Sequence, residues 1–108
     1  MVLVTEIYKL SKSFPKDENY GLTSQMRRCA VSVPSNIAEG YGRNSTIDYI
    51  RFLRLAAGSL YELQTQIEIS LNLRYLNETD FNKLYESSRE IERMLSSLVK
   101  KLNNKQTN

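Results

Sequence analysis

The last third of the chain constrains the fold more than any other stretch. Phe81, Leu84, Ser88, Ile91, Leu95, Leu98 and Leu102 follow one another at alternating steps of three and four. An α-helix, with about 3.6 residues per turn, brings positions spaced this way onto one side. Polar and charged residues fill the rest of the segment, so the helix is amphipathic and its apolar stripe must be covered by other helices. Glu78 and Asp80 lie just after its expected start near Asn77, and Lys100 and Lys101 lie in its expected last turn. Both placements favour the helix dipole.

Three further helical segments precede it. The first spans about Val2 to Phe14, with Leu3, Ile7, Leu10 and Phe14 on one face, and Pro15 stops it. The second starts near Thr23 as N-cap and carries Met26, Ala30, Val33, Ile37 and Tyr41 in a single register. That register passes through Pro34, which predicts one kinked helix and not two separate ones. Gly40 and Gly42 then end it. The third opens on Ser45, with Asp48 in capping-box position, and runs to about Leu71. With only four Gly and two Pro in 108 residues, long helices joined by short connections are expected. Short connections make neighbouring helices antiparallel. The expected fold is therefore an all-α, up-down-up-down four-helix bundle over residues 1–102, with a disordered polar tail at 103–108.

The third segment is more apolar than one core requires. Tyr49, Ile50, Phe52, Leu53, Ala56, Ala57, Leu60, Tyr61, Leu63 and Ile67 cover roughly half its circumference, whereas a stripe a little over 100° suffices on a monomer. Leu55, Ile69 and Leu73 form a second, thinner line on the other side. These three residues are the candidate interface for self-association, and Gly58–Ser59 is a small spot where another helix could approach closely.

The residues available for chemistry are few. The chain has no His, which removes Ser–His and Cys–His pairs and imidazole metal sites, and its single Cys29 cannot build a thiolate zinc site. Neither a GxxxxGKS/T loop nor a GxGxxG turn occurs. Glu62 and Glu68 fall on different helix faces, as do Glu90 and Glu92. This inventory points away from an enzyme, and no cofactor, metal or small-molecule substrate is expected. A lone cysteine, the lack of a leader and the lack of a membrane-spanning apolar run make the cytoplasm the expected compartment.

The second helix has an unusual polar face. Arg28, Ser32, Ser35, Asn36, Glu39 and Arg43 fall within about 100° of arc at 3.6 residues per turn. Three readings are open. The face is a solvated or intersubunit seam in which Arg28, Asn36 and Glu39 satisfy one another; or it is a phosphate or RNA contact through Arg27, Arg28 and Arg43; or it is a catalytic seam. The net charge of +3 is mild, and residues 22–43 hold most of the surplus. Seven tyrosines could stack on bases, although Tyr49 and Tyr61 sit at the margins of an apolar arc, where packing is the ordinary role. Arg51 and Arg54 share a polar side with Asp48 and Glu62, as an ion-paired solvated face would. Cys29 is read as a small buried apolar residue.

The stretch GLTSQMRRCAVSVPSNIAEGYGR at 21–43, followed by FLRLAAGSLYELQTQI at 52–67, resembles a bacterial family. It is similar to the four-helix-bundle proteins encoded in intervening sequences of 23S ribosomal RNA genes, often labelled ribosomal-protein-like. The resemblance runs from about Ile7 to Leu102. Its signature positions match at Gln25, Arg27, Arg28, Ser32, Pro34, Ser35, Asn36, Glu39, Gly40, Arg43, Gly58, Ser59 and Glu62. Cys29 stands where the family usually has alanine, and the first helix starts about two turns late. The resemblance implies closed homo-oligomers, typically five-fold rings. It also implies kinship in fold with accessory proteins of diversity-generating retroelements, which bind RNA and a reverse transcriptase through a basic ring surface. The function expected on this basis is a non-catalytic homo-oligomeric scaffold that binds RNA or a nucleic-acid-processing protein. A protein-only interaction module is the alternative.

Overall fold

The computed structural model describes residues 2–107, with side chains through 105. It contains four α-helices: α1 (Val2–Ser11), α2 (Leu22–Tyr41), α3 (Thr46–Asn72) and α4 (Glu78–Thr107), with a 3-10 turn at Lys16–Glu18. Among the described residues there is no strand. Helix α2 packs on α3, α3 on α4, and α1 on both α2 and α4.

The four segments appear where the apolar spacing puts them, and their ends differ for local reasons. The α-helix α1 stops at Ser11, before Pro15 can interrupt it. Lys12, Ser13 and Phe14 then bond three residues back, so the chain tightens while Phe14 stays buried. Thr23 is not the N-cap of α2. It lies inside the helix and is buried, and Gly21 occupies the cap position without a side-chain bond. The Glu18 carboxylate supplies the missing acceptor, taking the Leu22 N–H at 3.2 Å. Pro34 lies within α2, which is one helix from Leu22 to Tyr41.

Ser45 caps α3 as its position suggests, accepting the Asp48 N–H at 3.3 Å. Helix α3 closes with Arg74 in the left-handed region at φ 64°, which lets the Tyr75 N–H reach the Ser70 carbonyl at 2.8 Å. The Asn77 side chain accepts the Asp80 N–H at 2.7 Å and so caps α4. At its other end α4 runs on to Thr107, through the stretch that composition had marked as a disordered tail. Lys105, not Lys100 or Lys101, therefore occupies the last turn.

The core takes one stripe from each helix. Leu3 and Ile7 of α1 meet Met26, Ala30 and Val33 of α2; Leu53, Ala56, Leu60, Leu63 and Ile67 of α3; and Leu84 and Leu95 of α4. Helix α1 has 10 residues where α2 has 20 and α4 has 30. Beyond its reach the apolar stripe of α4 is only half-buried at Ile91, Leu98 and Leu102. A groove of about 470 Å³ lies open there between Ile37 and Tyr41 on one side and Ile91, Met94 and Leu98 on the other.

Candidate functional site

The α2–α3 contact can be followed pair by pair. A Cβ on Gly40 would stand 2.6 Å from the Phe52 Cβ; the Ser32 and Ser59 hydroxyls are 2.9 Å apart; the Cys29 thiol donates to Glu62 Oε2 at 3.5 Å; and the Ser70 hydroxyl reaches the Met26 sulfur at 3.3 Å. Small residues on α2 let the helices approach, and the serines and Asn36 sit at that approach. The Asn36 amide donates both to the Ser32 carbonyl at 2.9 Å and to its hydroxyl at 3.0 Å. This part of the polar face is a helix–helix seam within one chain.

The rest of the face does not form the network expected from sequence. Among the described residues Arg28 reaches Ser24, at 3.5 Å, and Glu39 pairs with Arg43 at 2.7 Å, so neither joins Asn36. The Glu39 and Arg43 side chains are 56% and 45% exposed, an i,i+4 surface pair of small energetic weight. Ser35 is exposed. Sequence spacing had placed these groups on one arc, but it could not show that each finds a nearer partner one turn away.

The three candidate arginines are not brought together. Arg27 is half-buried: its Nε donates to the Ser11 hydroxyl at 2.9 Å, its terminal nitrogen to the Tyr8 carbonyl at 3.2 Å, and its guanidinium lies 4.8 Å from the Tyr8 ring centroid. It fastens α1 to α2. Arg28 lines a polar cleft with Asn19, Ser24 and Arg27. Arg43 is at the far end of α2, roughly 24 Å away at 1.5 Å per residue. There Arg43 and Arg51 lie 5.0 and 4.7 Å from the Phe52 ring centroid.

The candidate interface residues Leu55, Ile69 and Leu73 are 48%, 42% and 49% exposed. Gly58 has nothing within 4 Å of an added Cβ, so within one chain the close approach belongs to Ser59 and Gly40. Tyr49 packs edge-on against Tyr41 at 6.0 Å, whereas Tyr61 is exposed. Cys29 is half-buried, and burial foremost pushes its thiol above the ordinary 9.0, with the bond to the Glu62 carboxylate adding to the shift. Among the described residues, no three His, Cys, Asp or Glu side chains gather as a metal ion would need. No described helix is long and apolar enough to cross a membrane.

Glu18 escaped the sequence reading. Its Oε1 caps α2, and its Oε2 accepts the Tyr75 hydroxyl at 2.9 Å, tying the first turn to the α3–α4 turn. The same bond to the carboxylate raises the Tyr75 pKa. The partners are 57 residues apart, and no local signal announces them.

Four helices around one core, with an interhelical serine–asparagine seam, define an all-α bundle. Residues 1–97 match the model of the 23S rRNA-intervening sequence protein family, and the chain belongs to that family. It is similar in structure to a protein of unknown function from the S23 ribosomal protein family of Bacteroides thetaiotaomicron. That likeness has a TM-score of 0.81 at 23% identity, over 92% of this chain and 90% of the other. At that identity the likeness speaks to the fold. No curated protein matches the chain.

Proposed function

We propose that the chain is a non-catalytic scaffold that assembles with copies of itself into a closed ring and binds RNA, or a protein that processes nucleic acid, through a basic surface. The observation that carries self-association is apolar surface left open after the core is complete. Leu55, Ile69 and Leu73 are exposed on α3, and the α2–α4 groove is open beside Met94. Two unlike patches suit a head-to-tail interface, which closes into a ring when the rotation permits. Within each subunit, the running order of the α2–α3 pairs supports the antiparallel up-down arrangement. A bend of α2 at Pro34 follows from the missing N–H. Membership of a family named for 23S rRNA intervening sequences supports the nucleic-acid part of the reading.

A protein-only module is favoured by one observation. Arg27 and Arg43 are both engaged inside the chain. Light scattering separates assembly from binding. The wild type should be larger than a monomer at micromolar concentration, and Leu55→Glu combined with Ile69→Glu should lower its mass while the helical circular dichroism persists. A monomeric wild type would sink the scaffold reading.

A further inference from the structure

The positive charge is distributed differently in space than along the chain. The close of α2, the opening of α3 and the close of α4 meet at one end of the bundle. Gly40 stands against Tyr49 and Phe52, and Asn103 shares a cleft with Ile47, Ile50, Arg51 and Arg54. Side chains 39–54 and 100–105 bring Arg43, Arg51, Arg54, Lys100, Lys101 and Lys105 to this end against Glu39 and Asp48. The surplus of four there exceeds the +3 of the whole chain, so the remainder is slightly acidic.

We infer that this end of the bundle, and not the Arg27–Arg28 face, is the docking surface for the phosphate backbone of single-stranded nucleic acid. The inference rests on the nucleic-acid part of the proposed function. Arg54 and the three lysines are exposed, and among the described residues none of them is in a salt bridge. The two acidic groups are engaged only in surface pairs, Glu39–Arg43 at 2.7 Å and Asp48–Arg51 at 3.8 Å, which cost little to exchange for phosphate. Phe52 holds Arg43 and Arg51 against its ring, so less side-chain freedom is lost when they bind. Charge alone would suit an acidic protein equally well. Tyr41 favours nucleic acid: the residue is 78% exposed at this end and its ring is braced edge-on by Tyr49, so it offers a face on which an unpaired base can stack. Arg27, by contrast, is occupied in joining α1 to α2.

The test is fluorescence anisotropy of the full chain with labelled single-stranded RNAs of unrelated sequence, between about 50 and 200 mM salt. The R54A/K100A/K105A variant touches no ion pair and should keep its circular dichroism spectrum. It should bind all the RNAs alike, about tenfold or more weaker than wild type, with the salt slope reduced by roughly 2, at about 0.7 for each phosphate no longer neutralised. R27A/R28A should lose less affinity. If R27A/R28A abolishes binding while R54A/K100A/K105A binds normally, the location is wrong and nucleic-acid binding stands. If the wild type binds no RNA at low salt, the functional reading falls and the inference falls with it. If polyglutamate competes as well as RNA at equal charge and Tyr41→Ala leaves RNA affinity unchanged, the surface belongs to an acidic protein and the inference is overturned.

Discussion

The hydroxyls of Ser32 on α2 and Ser59 on α3 are bonded at 2.9 Å across the contact between these two helices. The Asn36 amide braces Ser32 from the next turn, so one hydroxyl serves two partners. Ser32→Ala should cost about 0.5–1.5 kcal/mol, the usual net worth of such a bond. The Ser32→Ala/Ser59→Ala double variant should cost less than the sum of the two singles, because the second change removes a group the first has stranded. Denaturant melts of the three variants measure this directly; strict additivity would mean that the bond contributes nothing.

Two glycines should respond to alanine with opposite sign. At Gly40 a Cβ would meet the Phe52 Cβ at 2.6 Å and the Tyr49 carbonyl oxygen at 3.3 Å, so α2 and α3 would have to separate. Gly40→Ala should destabilise by about 1–3 kcal/mol, as overpacking does. Gly58 lies within α3 with nothing near its missing Cβ. Gly58→Ala should therefore stabilise by about 0.4–1 kcal/mol through reduced freedom of the unfolded chain. Thermal melts that moved both variants in the same direction would contradict this contrast.

Arg74 ends α3 at φ 64°, a conformation in which a Cβ crowds the backbone. Glycine has no such crowding. Arg74→Gly should leave the turn intact and raise stability by up to about 1 kcal/mol. A clear loss in denaturant midpoint would show that the arginine side chain contributes more than its strained backbone costs.

Burial of Cys29 gives a pH dependence of known sign. Its thiol pKa is raised above 9.0 in the folded chain, so folding favours the neutral form. The corresponding stability is fully present below the unfolded pKa and is lost as pH rises through the folded one. Iodoacetamide should thus alkylate the folded chain more slowly than the denatured chain near pH 9, with the difference shrinking at higher pH. Glu62→Gln removes one of the raising influences and should speed the folded reaction. Equal rates for folded and denatured chains would place the thiol in open solvent.

The sequence by itself determined the four helices, because apolar residues at steps of three and four leave no other regular structure. Ser45 and the Asn77 region marked helix starts for equally local reasons, since each side chain caps a backbone N–H within one turn. It also named the buried stripe of α4, and the structure buries Leu84, Ser88 and Leu95 there. The tertiary structure alone decided which polar groups pair between helices. Ser32 turned to Ser59, Arg27 to Ser11, and Glu18 to a tyrosine far along the chain. Side-chain bonds over a few ångströms depend on how neighbouring helices are placed, and a helical wheel carries no such information. Charge was decided in the same way. Along the sequence the surplus fell in the second quarter, but in space the last turns of α4 lie beside the first turns of α3 and gather the surplus at one end of the bundle.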